Sequence, residues 1–225
     1  MYNKIEHTYR IFMANLLNQF RNKSPGEEID YTFVMDCLKD YHSPRAKITH
    51  LLKKGDLIRV KKGIYLFGPD YRKGPYSMEI LANKIYGPSY VSLEYALSYY
   101  GLIPEYTHEV TSVSTKRMRH FNTPIGRFSY CYLPTKLYVV GYNLIQVMDY
   151  GFALLATPEK ALADLLYLRD FHFESHEEMQ EILFNSLRLD EALVSRMRIG
   201  LLTEILKAGG IPELQLLIQW IRGQK

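Results

Sequence analysis

The amino-acid sequence predicts an α+β protein in two parts, and three observations predict it. Residues 4–20 repeat their apolar side chains at spacings of three and four, the period of a helix with one buried face. Between residues 57 and 67 two short β-prone runs flank a glycine-containing turn. From residue 109 to 155 apolar and β-branched segments alternate with Pro and Gly, and capped helical segments follow. A run of helices and one hairpin, then a block of strands, then more helices is the α+β pattern. At 225 residues, 47% hydrophobic and 23% charged, the chain has enough apolar surface for a sizeable core, which excludes disorder, collagen and a disulfide miniprotein.

The first helix is expected over Lys4–Phe20, with Ile5, Tyr9, Phe12, Met13, Leu16, Leu17 and Phe20 on its inner face. Ser24-Pro25-Gly26 ends it, and a second, shorter amphipathic helix is expected over Ile29–Leu38 through Val34, Met35 and Leu38. Ser43-Pro44 combines a capping hydroxyl with proline at the first helical position, where its missing N–H costs nothing. The third helix therefore starts at Pro44 and stops at Gly55, with Ile48, Leu51 and Leu52 inward and Arg45, Ala46, Lys47, Thr49 and His50 outward. Leu57–Val60 and Ile64–Phe67 make the hairpin, with Lys61-Lys62-Gly63 as its tip.

Charge is concentrated on these elements. The first 75 residues carry 14 basic and 8 acidic side chains, a net +6, whereas the remaining 150 carry 14 basic and 16 acidic, a net −2. Ser43–Gly63 alone holds seven basic residues against Asp56. A solvated lysine-rich face is the ordinary reading of such a run. Helix, helix, capped helix and basic hairpin is, however, the order of a winged helix-turn-helix, whose third helix enters the major groove while its wing lies along a phosphate backbone. Residues 1–75 are thus expected to be a DNA-binding domain. Arg45, Lys47, Thr49 and His50 are placed toward base edges and Lys61 and Lys62 toward phosphates, with Ser43 and Arg59 as further DNA-binding residues. Winged helices that bind protein are the alternative.

Residues 76–225 are expected to be an α+β domain. Ser77–Tyr86 reads as a helix, Gly87-Pro88-Ser89 breaks it, and Ser92 caps another that ends at Gly101. Segments 109–114, 119–122, 126–133, 137–147 and 150–155 are expected to form an antiparallel sheet of four or five strands. Thr157-Pro158 opens a helix to Leu168 with Ala161, Leu162, Leu165, Leu166 and Leu168 inward. Ser175 with Glu178, then Asp190, then Pro212 start three more. A second basic cluster, Lys116, Arg117, Arg119 and His120 with Arg127 on the following strand, suits an acidic partner, an added phosphate contact, or a strand edge guarded by charge.

The chemistry the sequence excludes is as informative. No apolar run approaches the roughly 18 residues of a membrane span, and the first twenty residues do not read as a secretion signal, so a cytoplasmic location is expected. Cys37 and Cys131 stand alone and are expected to be reduced core thiols. There is no phosphate-binding glycine loop and no serine in a nucleophile elbow, so no cofactor and no enzymatic activity are expected. Glu159 and Lys160 are adjacent at a helix start, which does not fit the alternating Glu-x-Lys of a nuclease strand. His172 and His176 are four apart, but Ser175 starts a helix between them, which takes them off a common face. Tyr95, Tyr99 and Tyr100 fall at helical spacing and read as packing.

Several of these stretches, in order, resemble the AbiEi-type antitoxins of bacterial abortive-infection systems. They are residues 55–65 (GDLIRVKKGIY), 87–94 (GPSYVSLE) with Ala96-Leu97, 100–105 (YGLIPE), and 157–162 (TPEKAL) with Asp164-Leu165-Leu166. They lie between roughly positions 30 and 170. The resemblance implies a winged-helix repressor of its own operon, bound at repeated promoter sites, with an antitoxin activity in the C-terminal domain. It further implies a nucleotidyltransferase toxin antagonised without a stable complex, the type IV arrangement. Glycine-serine followed by paired aspartates, expected of such a toxin, is missing after Gly87-Pro88-Ser89, so the chain resembles the antitoxin. A stand-alone regulator without a toxin neighbour is the alternative.

Overall fold

The computed structural model describes residues 16–224. Of the expected first helix, residues 16–23 are helical (α1), and Leu16, Leu17 and Phe20 are buried as their spacing requires; residues 4–15 of that expectation lie outside the described residues. The second helix starts later than expected. Glu28–Asp30 is a strand (β1), and α2 spans Tyr31–Cys37 with the Asp30 carboxylate accepting from the Phe33 N–H. Ile29 is therefore a buried strand residue. Helix α3 covers Pro44–Lys54 and ends at Gly55, whose φ of 77° is the left-handed stop that glycine adopts without strain.

Strands β2 (Leu57–Lys61) and β3 (Ile64–Phe67) form the hairpin, and β1 pairs with the far side of β3 to give a three-stranded sheet in the order β1-β3-β2. All four residues of β3 are buried, and they divide between two cores. Tyr65 and Phe67 pack with Leu16, Leu17, Phe20, Val34, Ile48 and Leu51. Ile64 and Leu66 pack instead with the much larger core of the C-terminal residues. The hairpin is consequently covered on both faces, by the N-terminal helices on one and by the C-terminal region on the other.

The C-terminal region is built on a sheet that differs from expectation. Six strands, β4 (Ser89–Val91), β5 (Glu109–Ser114), β6 (Arg119–Thr123), β7 (Gly126–Tyr132), β8 (Tyr142–Met148) and β9 (Gly151–Ala156), lie in the order β6-β7-β5-β4-β9-β8. The sheet is mixed, because β5 runs parallel to β7 and β4 parallel to β9. The expected antiparallel sheet is corrected on both counts. The three-residue β4 is too short to carry a period, yet its burial between β5 and β9 makes it central and joins two hairpins into one sheet. The expected strand over 137–147 is also corrected. Thr135–Tyr138 is a helical turn (α6), and Gly141 at φ 87° turns the chain into β8.

Helices cover both faces. On one lies α4 (Met78–Ile85), whose Ala82 carbonyl accepts from the Tyr130 hydroxyl at 2.7 Å. Ser112 pairs with Tyr130, so the adjacent Thr111 projects from the opposite face, where it accepts from the Tyr95 N–H of α5 (Leu93–Tyr99). Helix α7 (Pro158–Leu168) packs on α5. Ser77, Thr157, Ser175 and Asp190 each accept a backbone N–H of the following turn, whereas the expected caps Ser43 and Ser92 stand at their helix starts without a side-chain cap bond. After α7 come α8 (His176–Gln180), continued by a π-helical turn over Glu181–Ser186, then α9 (Glu191–Ser195), α10 (Ile199–Lys207) and α11 (Glu213–Gly223). Trp220 of α11 packs on Phe184 with ring centres 5.1 Å apart.

Candidate nucleic-acid interface

The candidate interface grows from the start of α3 and the outer face of the hairpin. Pro44 opens the helix, but the Ser43 hydroxyl makes no capping bond and lies 3.4 Å from His42 Nδ1. Ser43 is thus an exposed hydroxyl at the helix start, available to an external acceptor. Two residues on, the Arg45 Nε donates to the Tyr31 hydroxyl at 3.4 Å, and the Thr49 hydroxyl donates back to the Arg45 carbonyl at 3.0 Å. Tyr31 itself is tied to the hairpin turn, its N–H donating to the Gly63 carbonyl at 2.8 Å. These bonds bring the N-terminal half of α3 and the hairpin tip to the two sides of one groove of about 790 Å³, lined by Tyr31, Arg45, Ile48, Thr49, Arg59, Lys62, Gly63 and Tyr65. Arg45, Thr49, Arg59 and Lys62 are all exposed around it.

Residue pairing in the hairpin explains why these side chains converge and why Lys61 does not join them. Arg59 pairs with Tyr65, whose ring belongs to the N-terminal core, so Arg59 points to the α3 side. A bulge between Arg59 and Lys61 then places Lys61 opposite Ile64, whose side chain belongs to the C-terminal core. The two lysines expected together at the tip are separated. Lys62 stays in solvent beside Gly63, whereas the Lys61 ammonium donates to the Ile85 carbonyl at 2.6 Å and sits 4.5 Å from the Phe121 ring centre. Burial, and then the neighbouring Lys116, lower its pKa. Lys61 holds the hairpin against the C-terminal region, a role invisible in a run of two lysines.

Lys47 and His50 are half-buried on the flank of α3, with the Lys47 ammonium 5.5 Å from the Tyr41 ring centre. Burial, followed by Lys54 and Lys47, pushes the His50 pKa below the ordinary imidazole value, so this ring is neutral at pH 7. A second, shallower groove runs along α3 from Thr49 to Gly55 and past Arg59 to Pro124 of the β6–β7 turn.

That turn belongs to the second basic cluster. Arg117, Arg119 and Arg127 are exposed; Asn122 pairs with Arg127, and Arg119 with Tyr130. The Lys116 ammonium donates to the Gly87 carbonyl and lies 5.5 Å from the Tyr86 ring centre. Tyr86 and Phe121 pack on each other, so Lys61 and Lys116 meet at one aromatic junction. The β6 cluster is therefore a neighbour of the hairpin.

Three sets of polar residues escape a reading by periodicity. Glu27, 1% exposed, accepts from Arg21 at 2.8 Å and from the Lys73 and Gly74 N–H groups. Glu28 accepts from the Ser77 N–H and the Tyr150 hydroxyl, and burial raises its carboxyl pKa. The pair pins the segment between the hairpin and α4. Deeper still, Lys160 and Asp164 of α7 form an ion pair at 2.8 Å with side chains 1% and 2% exposed. The Tyr90 and Ser92 hydroxyls donate to the other Asp164 oxygen, and Lys160 donates to the Leu137 carbonyl at 2.7 Å. Ser92 spends its hydroxyl here and not on its helix, and Leu93 after it has φ 58°. A side chain at Gly141 would press on the Lys160 methylenes. Finally, Arg198 bonds both oxygens of buried Glu159; burial raises that carboxyl, and the Arg198 bonds overcome it to leave the pKa low. Every residue from Glu159 to Leu166 is buried, so this helix start has no solvent face to receive the two charges.

Among the described residues no group of three or more His, Cys, Asp or Glu is arranged to hold a metal ion. His172 bonds Glu213 at 2.7 Å and Asp170 at 3.0 Å through its two ring nitrogens. No helix among the described residues is long and apolar enough to cross a membrane. No protein-family model matches the chain, and no curated protein matches it.

Proposed function

We propose that residues up to about 75 act as a winged helix-turn-helix on double-stranded DNA and that the protein represses transcription from its own promoter. The observation that carries this reading is the groove in which Arg45 and Thr49 of α3 face Arg59 and Lys62 of the hairpin. Cations on two sides of one groove suit a duplex that presents base edges to the helix and a phosphate strand to the wing. Arg45, with its planar fork, is the candidate for guanine O6 and N7; Thr49 and neutral His50 suit other base-edge atoms, and Lys47 and Lys62 suit phosphates. The resemblance to AbiEi-type antitoxins adds a second activity, neutralisation of a nucleotidyltransferase toxin without a stable complex. The exposed Arg117, Arg119 and Arg127, with Lys116, are its candidate surface.

Fluorescence anisotropy on DNA from upstream of the gene, against a scrambled duplex, tests the repressor reading over about 50 to 200 mM salt. Sequence-selective, salt-sensitive binding is expected. Equal affinity for both duplexes removes the repressor. Co-expression with an adjacent nucleotidyltransferase tests the antitoxin reading, with growth rescue expected and lost in an Arg117→Ala, Arg119→Ala, Arg127→Ala triple variant.

A further inference from the structure

The six-stranded sheet has two edges of opposite character. At one edge β6 carries Arg119 and His120 and follows Lys116 and Arg117, so a like strand brought against it meets like charge. At the other edge β8, Tyr142–Met148, contains no charged residue, no proline and no glycine. Its inner side pairs with β9 at every residue but Val147, and it is anchored by Tyr142, which stacks on buried Tyr90 with ring centres 4.7 Å apart. Among the described residues no strand lies beside its outer side. On one face of the same hairpin Leu144 is 64% exposed and Phe152, paired with Gln146, is 58% exposed. Unpaired backbone donors and acceptors alongside exposed apolar side chains are what a further strand would satisfy.

We propose that β8 pairs antiparallel with β8 of a second copy of this chain. Self-pairing is favoured over another partner by charge. A strand with no charge offers nothing to select a charged partner segment, while an antiparallel copy of itself sets no like charges opposite one another. The register is set by the bulge between Gln146 and Met148, which leaves Tyr142–Gln146 as the regular stretch. A two-fold axis through its centre puts Leu144 opposite Leu144, Asn143 opposite Ile145 and Tyr142 opposite Gln146. The two exposed leucines then cover each other, with a Phe152 on either side, and the two sheets become one of twelve strands. The basic β6 edges lie at its far ends, so the grooves of α3 are left open.

Sedimentation of the full chain without DNA at about 50 µM, with Leu144→Lys beside it, tests the contact. A dimer that becomes a monomer in Leu144→Lys is expected, the substitution placing two ammonium groups face to face at a site whose exposure makes unfolding of the monomer unexpected. A monomeric wild type, or a dimer indifferent to Leu144→Lys, overturns the proposal. Should Leu144→Lys fail to fold, Leu144→Cys in a Cys37→Ser, Cys131→Ser background gives an independent reading. Oxidation is expected to yield a covalent dimer through position 144, and failure to cross-link under conditions where the protein sediments as a dimer rejects the register.

Discussion

Arg45, Arg59 and Lys62 keep their charges in solvent around an open groove, whereas Lys160, 1% exposed, is enclosed with Asp164, Tyr90, Ser92 and the Leu137 carbonyl. Both regions hold charged side chains, and they put charge to opposite uses. In the groove each cation stays hydrated and adds little to folding, so it is available to an anion from outside. In the core both Asp164 oxygens have partners, and truncating any member strands the others away from water. Lys61 stands between the two: one residue from Lys62 in sequence, it is half withdrawn onto Ile85 and Phe121. Charge by itself therefore does not mark a binding site; the partner that holds it does.

The largest effect that separates the two regions is expected from Asp164→Ala. It leaves Lys160 charged and buried, at a cost of about 3–5 kcal/mol in urea unfolding. A loss below about 1 kcal/mol would place the pair on the same footing as an exposed one. Next, Arg45→Ala leaves the melting temperature unchanged and lowers discrimination between operator and random DNA by roughly five- to a hundredfold, the worth of one bidentate base contact. Equal losses on both duplexes would reassign Arg45 to phosphate. Lys62→Ala weakens binding to every duplex and lowers the salt slope by about one ion, while Lys61→Ala leaves the slope unchanged and destabilises the fold. Identical slopes for the two variants would return Lys61 to the DNA surface.

The smallest effect is the pH dependence of Glu28→Gln. Burial holds the Glu28 carboxyl above its ordinary 4.5, so in the window just above that value the folded chain binds more protons than the unfolded one. The stability owed to this group is thus fully present below 4.5 and lost as pH rises through the raised value. The variant lacks that dependence, and the advantage of the wild type over it should shrink as pH rises through the window in a series of urea titrations. An advantage that grows instead would mean that the Ser77 and Tyr150 bonds outweigh burial.

Much of the local structure was legible because local rules decide it. Pro44 and Gly55 bound α3, Thr157-Pro158 opens α7, and glycine sits in the hairpin turn, each for a reason contained within a few residues. The strand boundaries of β5 and β7 follow from alternation. Where local signals were thin the reading slipped. Ile29 and Asp30 read as the start of a helix because a three-residue strand carries no period, and Leu137 and Tyr138 of α6 read as strand because they are apolar in either state. The outward direction of Arg45, Thr49 and Arg59 is legible, since a helix that starts at Pro44 and a two-faced strand fix which way each one points, and Lys62 falls in the turn between strands. Tyr31, which helps to join the helix to the hairpin, is not.

By itself the sequence determined where most of the longer helices start, the hairpin and the concentration of positive charge on α3 and the hairpin, because capping, turn chemistry and hydrophobic period act over a few residues. Only the tertiary structure decided that β4 would be central, that two strand pairs would run parallel, that Lys61 would leave the hairpin tip, and that Lys160 would meet Asp164, Tyr90 and Ser92. Each of these depends on partners between 4 and 74 residues apart along the chain. Which of many such partners a buried polar group finds is set by the packing of the whole sheet, and no short window contains it.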